Sequence, residues 1–210
     1  MRIIGGSVKG RRLRSLKGLS MRPTFDRVRE ALFNILGEKI IGSCFLDLFA
    51  GTGGVGIEAL SRGAKSAIFV ENHPPATVLI GENVGKCGFA DAGVVVRADV
   101  LSFMDEADRR LSSERSAGVR SAKSYLPEMS AKIPSYRFDL LFMDPPYNSD
   151  LAEKTIVKAS ESDILVSDGL VIVEHSSKLR LDDKYGGLVH RETRRFGDTA
   201  LSFFIFQPQQ

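Results

Sequence analysis

This chain of 210 residues has little of what metal centres and covalent staples require. It has two cysteines, Cys44 and Cys87, neither with a CxxC partner, and three histidines, His73, His175 and His190, without ligand spacing. No zinc pattern and no disulfide framework can be drawn from that set, and two reduced thiols in structured segments fit a cytosolic compartment. Long apolar runs are also missing: none approaches the roughly 18 residues a membrane-spanning helix needs. The opening residues, MRIIGGSVKGRR, lack the long apolar centre of a secretory signal. The expectation is a soluble, cytoplasmic, metal-free chain.

Negative charge is scarce at one end. Over residues 1–29, Arg2, Lys9, Arg11, Arg12, Arg14, Lys17, Arg22, Arg27 and Arg29 face Asp26 alone. Nine charges against one give +8 there, which leaves −5 for the rest of a chain whose total is +3. A basic arm on a mildly acidic body points to a polyanion, most simply nucleic acid, with a solvated tail as the competing reading. The arm alternates like structure: Ile3, Ile4, Val8, Leu13 and Leu16 are interleaved with bases and glycines. That pattern predicts a small β-hairpin over 1–22, ahead of a second unit spanning 23–210.

A helix is expected after Thr24, a candidate N-cap, because Val28, Ala31, Leu32, Ile35 and Leu36 fall at helical spacing. From residue 44 strands and helices alternate: CFLDLF, SAIFVE, AGVVVRAD, FDLLFMD and GLVIVEH read as strands with helices between them. VHRETRRF and TALSFFIF then close as an antiparallel hairpin about Gly197-Asp198. The alternation predicts an α/β fold: a mostly parallel seven-stranded sheet with helices on both faces. Residues 111–135 interrupt the rhythm with a polar, basic insertion longer than a usual helix-to-strand connection.

Right-handed crossovers bring every strand-to-helix loop to one sheet edge. Asp47 to Gly56, Glu71, Asp99 and Asp144 to Tyr147 all sit on such loops, in the crevice where open α/β sheets bind ligands. LDLFAGTGGVG contains a GxGxxG turn, from Gly51 and Gly53 to Gly56, which lets backbone approach a ligand before a helix start. By itself that turn suits a nicotinamide dehydrogenase too, since Glu71 lies twenty residues beyond Gly51. Asp47 weighs against a pyrophosphate, because it adds negative charge at the turn. The acids suit a nucleoside bearing an amino acid instead: Glu71 for ribose hydroxyls, Asp99 for an adenine amino group, Asp47 near an ammonium. S-adenosylmethionine has these parts. Each acid also has a plainer reading, with Asp47 capping the turn, Glu71 ending a strand in solvent, and Asp99 capping the helix at Val100.

Asp144-Pro145-Pro146-Tyr147 follows an apolar strand with residues that cannot extend the ladder. A stiff loop offering a carboxylate, a free carbonyl and an aromatic face can hold a planar amine. Its hydrogens would be accepted by Asp144 and the Pro145 carbonyl, and its ring stacked on Tyr147. A proline-rich surface turn is the structural alternative.

The stretches MRIIGG with KGRRL, RPTFDRVREALFNIL, LDLFAGTGGVGIEALSRGA and FMDPPY together resemble the bacterial 16S rRNA guanine-N2 methyltransferases, which are class I S-adenosylmethionine-dependent enzymes. The resemblance covers nearly the whole chain outside 111–135. It implies a class I Rossmann-like fold and methylation of a guanine N2 amine in 16S rRNA of an assembling small subunit, with ribosomal protein as a neighbour. It also implies cofactor contacts at Asp47, Phe49, Gly51, Gly53, Glu71, Asn72, Asp99 and Val100, joined by Arg22 and Thr24. Asp144, Pro145, Pro146 and Tyr147 would be catalytic, and Arg2, Lys9, Arg11, Arg12, Arg14 and Arg27 would grip RNA. The proline-loaded helix start Asn72-His73-Pro74-Pro75 departs from the family pattern at the adenosine side. A DNA adenine-N6 methyltransferase, a nicotinamide-dependent oxidoreductase and a non-catalytic binding module are the competing functions.

Overall fold

A computed structural model describes residues 1–15, 23–115, 136–146 and 150–207, and the side chains of 23–25 and 114–115 lie outside that description. Helix α1 spans Pro23–Leu36 and continues into a 3₁₀ turn at Gly37–Ile40. Strands β1 (Cys44–Leu48), β2 (Ser66–Glu71), β3 (Gly93–Arg97), β4 (Phe138–Met143) and β5 (Leu165–Ser176) alternate with helices α2 (Gly54–Ser61), α3 (Pro74–Cys87), α4 (Val100–Arg115) and α5 (Leu151–Glu161). β6 (Lys184–Tyr185), β7 (Leu188–Phe196) and β8 (Thr199–Phe206) complete one sheet in the order β3-β2-β1-β4-β5-β8-β7-β6.

The first five strands run parallel, and β8 and β7 are antiparallel, as the alternation requires. The expected seven strands are joined by the two-residue β6, which pairs only with the edge of β7. Helix α4 runs to Arg115, so the first residues of the 111–135 insertion extend a helix, and Leu111 is buried under the sheet. Residues 116–135 lie outside the described residues.

Strand alternation sorts the apolar residues into two cores. Leu46 and Leu48 of β1, Leu141 and Met143 of β4, and Val171 and Val173 of β5 pack with Phe103, Met104 and Ile156 of α4 and α5. Phe45, Leu140, Phe142 and Ile172 face the other way, against Leu32, Phe33, Ile57 and Ile80 of α1, α2 and α3. Among the described residues, no helix is long and apolar enough to cross a membrane.

Of the arm expected as a β-hairpin, the described part has one antiparallel bridge, Arg2 with Arg12. The Ile3 N–H donates to Arg11 O at 3.0 Å, and the Leu13 N–H to Met1 O at 3.0 Å. Contacts with the body replace a longer ladder. Ile3 and Leu13 are buried in the second core, and the N–H groups of Ile4 and Gly5 donate to the Glu58 carboxylate of α2 at 2.8 and 2.7 Å. Glu58 is fully buried and also pairs with Arg62 at 2.9 Å and Arg29 at 3.7 Å. The first fifteen residues are therefore docked, and a free solvated tail is not what they form.

Candidate active site

β1 lies between β2 and β4, so the chain turns to opposite sides of the sheet on leaving it. Loops from the two halves diverge there and open a crevice at the C-terminal strand edge. A cavity of about 580 Å³ occupies this place, a size usual for small-ligand sites. From the first half its wall takes Phe49 after β1, Val70 and Glu71 of β2, Asn72, and Ala98, Asp99 and Val100 between β3 and α4. The second half contributes Asp144, Pro145 and Pro146 after β4, Leu151 of α5 and Glu174 of β5. The β7–β8 turn from Phe196 to Thr199 and Val28 of α1 close the rim.

Among these described residues the wall carries five carboxylates, on Glu71, Asp99, Asp144, Glu174 and Asp198, and no basic side chain. Such a wall repels phosphate and favours a ligand with positive charge.

The glycine turn is held in shape by acids that the chain places twenty and nine residues away. Gly53 caps α2 with φ +76°, a conformation that side chains resist. A Cβ on Gly56 would meet the Phe69 ring at 2.3 Å, so only glycine lets α2 lie this close to β2. Glu71 accepts the Gly51 N–H at 2.8 Å through Oε2 and the His73 N–H at 2.8 Å through Oε1. Phe49, with φ +61°, holds the strained corner where the chain leaves β1 and meets the cavity.

Asp47 differs from expectation. It is 1% exposed, lies outside the cavity wall, and accepts the Gly56 N–H at 2.9 Å. Direct contact with a ligand ammonium does not fit this placement; the plainer reading, a cap on the following turn, does. Burial pushes its carboxyl up to about 7, helped by the nearby Asp144 and Glu71. Gly51 and Gly53 likewise stand behind the wall. Asp99 combines two of its readings: it caps α4 by accepting the Ser102 N–H at 3.0 Å, and it also lines the cavity.

Pro145 is buried, and burial pushes the Asp144 carboxyl up to about 7. Tyr147 and Arg22 lie outside the described residues, and Thr24 is in the first turn of α1 with its side chain outside the description. Of the basic residues expected to meet RNA, Arg2, Lys9, Arg12 and Arg27 are exposed. Arg14 pairs with Glu82 at 2.6 Å, and Arg11 donates to the Lys86 carbonyl, so both are partly committed to α3.

Several parts of the wall lie outside the sequence expectation: Glu174, the Phe196–Thr199 turn, Leu151, and the apolar Val28, Val70 and Ala98. GLVIVEH reads as a buried strand, and nothing local distinguishes Glu174 from a solvated strand end. An acid inside that run was the available signal.

The chain matches the family model described as conserved hypothetical protein 95 over residues 1–205. It is 33% identical over 204 residues to a Bacillus subtilis protein named "Putative rRNA methyltransferase YlbH", covering 97% of this chain and 98% of that one. It is 34% identical over 176 residues to Ribosomal RNA small subunit methyltransferase D of Haemophilus influenzae, covering 83% and 78%. The solved Escherichia coli structure titled "Putative methyltransferase yhhF" superposes with a TM-score of 0.79 at 28% identity, over 100% of this chain and 99% of that one. By its sequence over nearly full length and by its fold, the chain belongs to the conserved hypothetical protein 95 family, the methyltransferase family that includes the small-subunit rRNA methyltransferase D proteins.

Proposed function

We propose that this protein is a cytoplasmic enzyme that transfers the methyl group of S-adenosylmethionine to the exocyclic N2 amine of a guanine in small-subunit ribosomal RNA. The observation that carries this reading is the acidic wall, without a basic side chain among the described residues, at the end of β4 where a stiff proline corner stands. A nicotinamide dinucleotide would bring a pyrophosphate into that wall at a heavy electrostatic cost. A sulfonium and an ammonium are favoured by it. The curated relatives named for small-subunit rRNA methylation support the choice of RNA.

The donor fits the residues present. An ionised carboxylate has about four acceptor positions, and Glu71 uses two of them on backbone N–H groups. The others can take ribose hydroxyls. Phe49, Val70, Ala98 and Val100 supply apolar surface for a purine, with Asn72 and the Asp99 carboxylate at hand for its polar edge. Asp47, Gly51 and Gly53 serve from behind by fixing the turn. When bound, S-adenosylmethionine supplies an activated methyl on a positively charged sulfur.

The remaining chemistry belongs to the chain. A base amine is a weak nucleophile because its lone pair is delocalised into the ring. Asp144 and the Pro145 carbonyl accept its hydrogens, which favours the pyramidal nitrogen that attacks. Asp144 takes the proton once the new N–C bond has made it acidic. Tyr147 stacks the everted base. In this reading residues 1–22 form an RNA-gripping arm on a methyltransferase domain of 23–210, with Arg2, Lys9, Arg12 and Arg27 on phosphates and ribosomal protein beside the target.

The test supplies labelled S-adenosylmethionine with undermodified 30S particles, free 16S rRNA or DNA, then identifies the labelled base. Label on guanine N2 of the rRNA is expected. Label on DNA adenine, or on no nucleic acid, would overturn the proposal.

A further inference from the structure

Glu174 has no place in the scheme above, yet it stands beside its central residue. Met143 of β4 pairs with Val173 of β5, so the next residues along the two parallel strands, Asp144 and Glu174, reach the crevice side by side. Strand alternation puts Glu174 on the same face as Ile172 and Asp47 on the same face as Phe45, the face covered by α1, α2 and α3. Glu174 lines the cavity but is only 5% exposed, and its Oε1 is shut away from solvent with no hydrogen-bond partner among the described residues.

A buried ionised oxygen without a partner is costly, and a proton on it removes most of that cost. No basic side chain stands among the described residues of the wall. The Asp144 charge acts on both Glu174 and Asp47, and the other ionisable residues on the described wall, Glu71, Asp99 and Asp198, are acids. The neighbouring His175 points its ring to Ser202 Oγ and the Ser176 carbonyl, each at 2.8 Å. Strand β8 sets Leu201 against Glu174. Burial first, and the Asp144 charge second, push the Glu174 carboxyl up to about 8.

We propose that Asp144 and Glu174 work as one carboxyl pair holding a single proton between them. Glu174 is the protonated member that orients its neighbour, and Asp144 is the ionised member that takes the amine hydrogens. The proposal rests on the reading of Asp144 given above. One proton leaves the corner with a single negative charge facing the positive donor, where two adjacent anions would repel each other. During transfer the N–C bond forms from the nitrogen lone pair, and the S–C bond breaks with its electrons remaining on sulfur. The nitrogen proton then passes to Asp144, its bonding pair staying on nitrogen, and the doubly protonated pair returns one proton to solvent. Glu174 is thus a positioning residue.

The experiment compares pH–rate profiles of the wild-type protein and Glu174→Gln on undermodified 30S particles, with binding of S-adenosylhomocysteine as the check on folding. Glutamine imitates the neutral acid. Near pH 7 the variant should therefore keep its rate within about threefold of wild type while losing the alkaline fall that ionisation of the pair produces. The substrate's own ionisation acts on both proteins alike and cancels in the comparison. Superposable profiles would overturn the pair, as would a variant that binds S-adenosylhomocysteine normally but is inactive at every pH. If the variant fails to fold, ¹³C-glutamate NMR of the wild-type protein decides: a glutamate titrating near pH 8 is expected, and none titrating above pH 6 would overturn the pair. Absence of N2-methylguanine with wild-type enzyme would sink the functional reading itself, whereas product with identical profiles sinks only the pair.

Discussion

The carboxylate of Glu71, at the end of β2, holds the backbone N–H of Gly51 at 2.8 Å and so ties the second strand to the turn that follows the first. Glu71→Ala would leave the Gly51 and His73 N–H groups without this acceptor and remove the candidate ribose contact. Hydrogen bonds to a charged group contribute about 1.5–3 kcal/mol, so affinity for S-adenosylhomocysteine should fall roughly 10- to 100-fold. Titration calorimetry checks it. Unchanged affinity would reduce Glu71 to a brace.

Asp144→Ala should reduce methyl transfer by about 10²–10³-fold, the usual cost of removing a positioned electrostatic group. Binding of S-adenosylhomocysteine should be largely intact. Because burial disfavours this carboxylate, the variant should unfold at the wild-type temperature or above it. Near-normal turnover would remove Asp144 from the mechanism.

Asp47 connects the site to pH. Its folded-state carboxyl, at about 7, lies above its ordinary value of 3.8, so the native state binds the proton more tightly than the unfolded chain does. This contribution to stability is complete below the ordinary value, declines as pH rises, and is lost by about pH 7. Asp47→Asn should therefore gain in thermal midpoint relative to wild type between pH 4.5 and 8. A constant difference across that range would contradict the assignment.

Glu58 anchors the arm. Removing one partner from a buried ion pair costs about 3–5 kcal/mol, and Glu58→Ala would leave the buried Arg29 with Asp26 as its remaining carboxylate and take the acceptor from the N–H groups of Ile4 and Gly5. Urea unfolding should show a loss in that range, and limited proteolysis should cut within residues 1–15 before the body. Wild-type resistance there would mean the arm is held by Ile3, Leu13 and its hydrogen bonds to Ser61, Asn83 and Lys86.

Neutralising Arg2, Lys9, Arg12 and Arg27 together should weaken RNA binding without changing S-adenosylhomocysteine affinity. Four phosphate contacts on a single strand are equivalent to a salt slope of about 3, so the slope of log affinity against log salt should flatten by up to that amount. An unaltered slope would move the RNA to another surface.

Much of this molecule was legible along the chain because it depends on near neighbours. The apolar period of β1 through β5, the hairpin turn at Gly197-Asp198, and the proline corner after FDLLFM are local consequences of side-chain shape and backbone freedom. The acids at successive strand ends also followed from topology alone, since parallel strands with right-handed crossovers must gather their exits at one edge. The arm was harder. Its composition suggested a partner outside the chain, yet Ile3, Leu13 and the buried Glu58 show that it is also bonded to the body of the protein.

What the residues determined by themselves was the α/β plan, the position of the crevice and the chemical character of the loops around it, because periodicity and turn chemistry act over a few residues. Only the tertiary structure decided which acids meet a ligand and which lie behind the turn. Asp47 and Glu71 read alike as strand-end carboxylates, but packing of α2 seals the first and leaves the second on the wall. Glu174 becomes Asp144's neighbour only through the β4–β5 register, thirty residues away along the chain. Burial and register are set by contacts distant in sequence, and it is burial that gives a carboxylate its proton affinity.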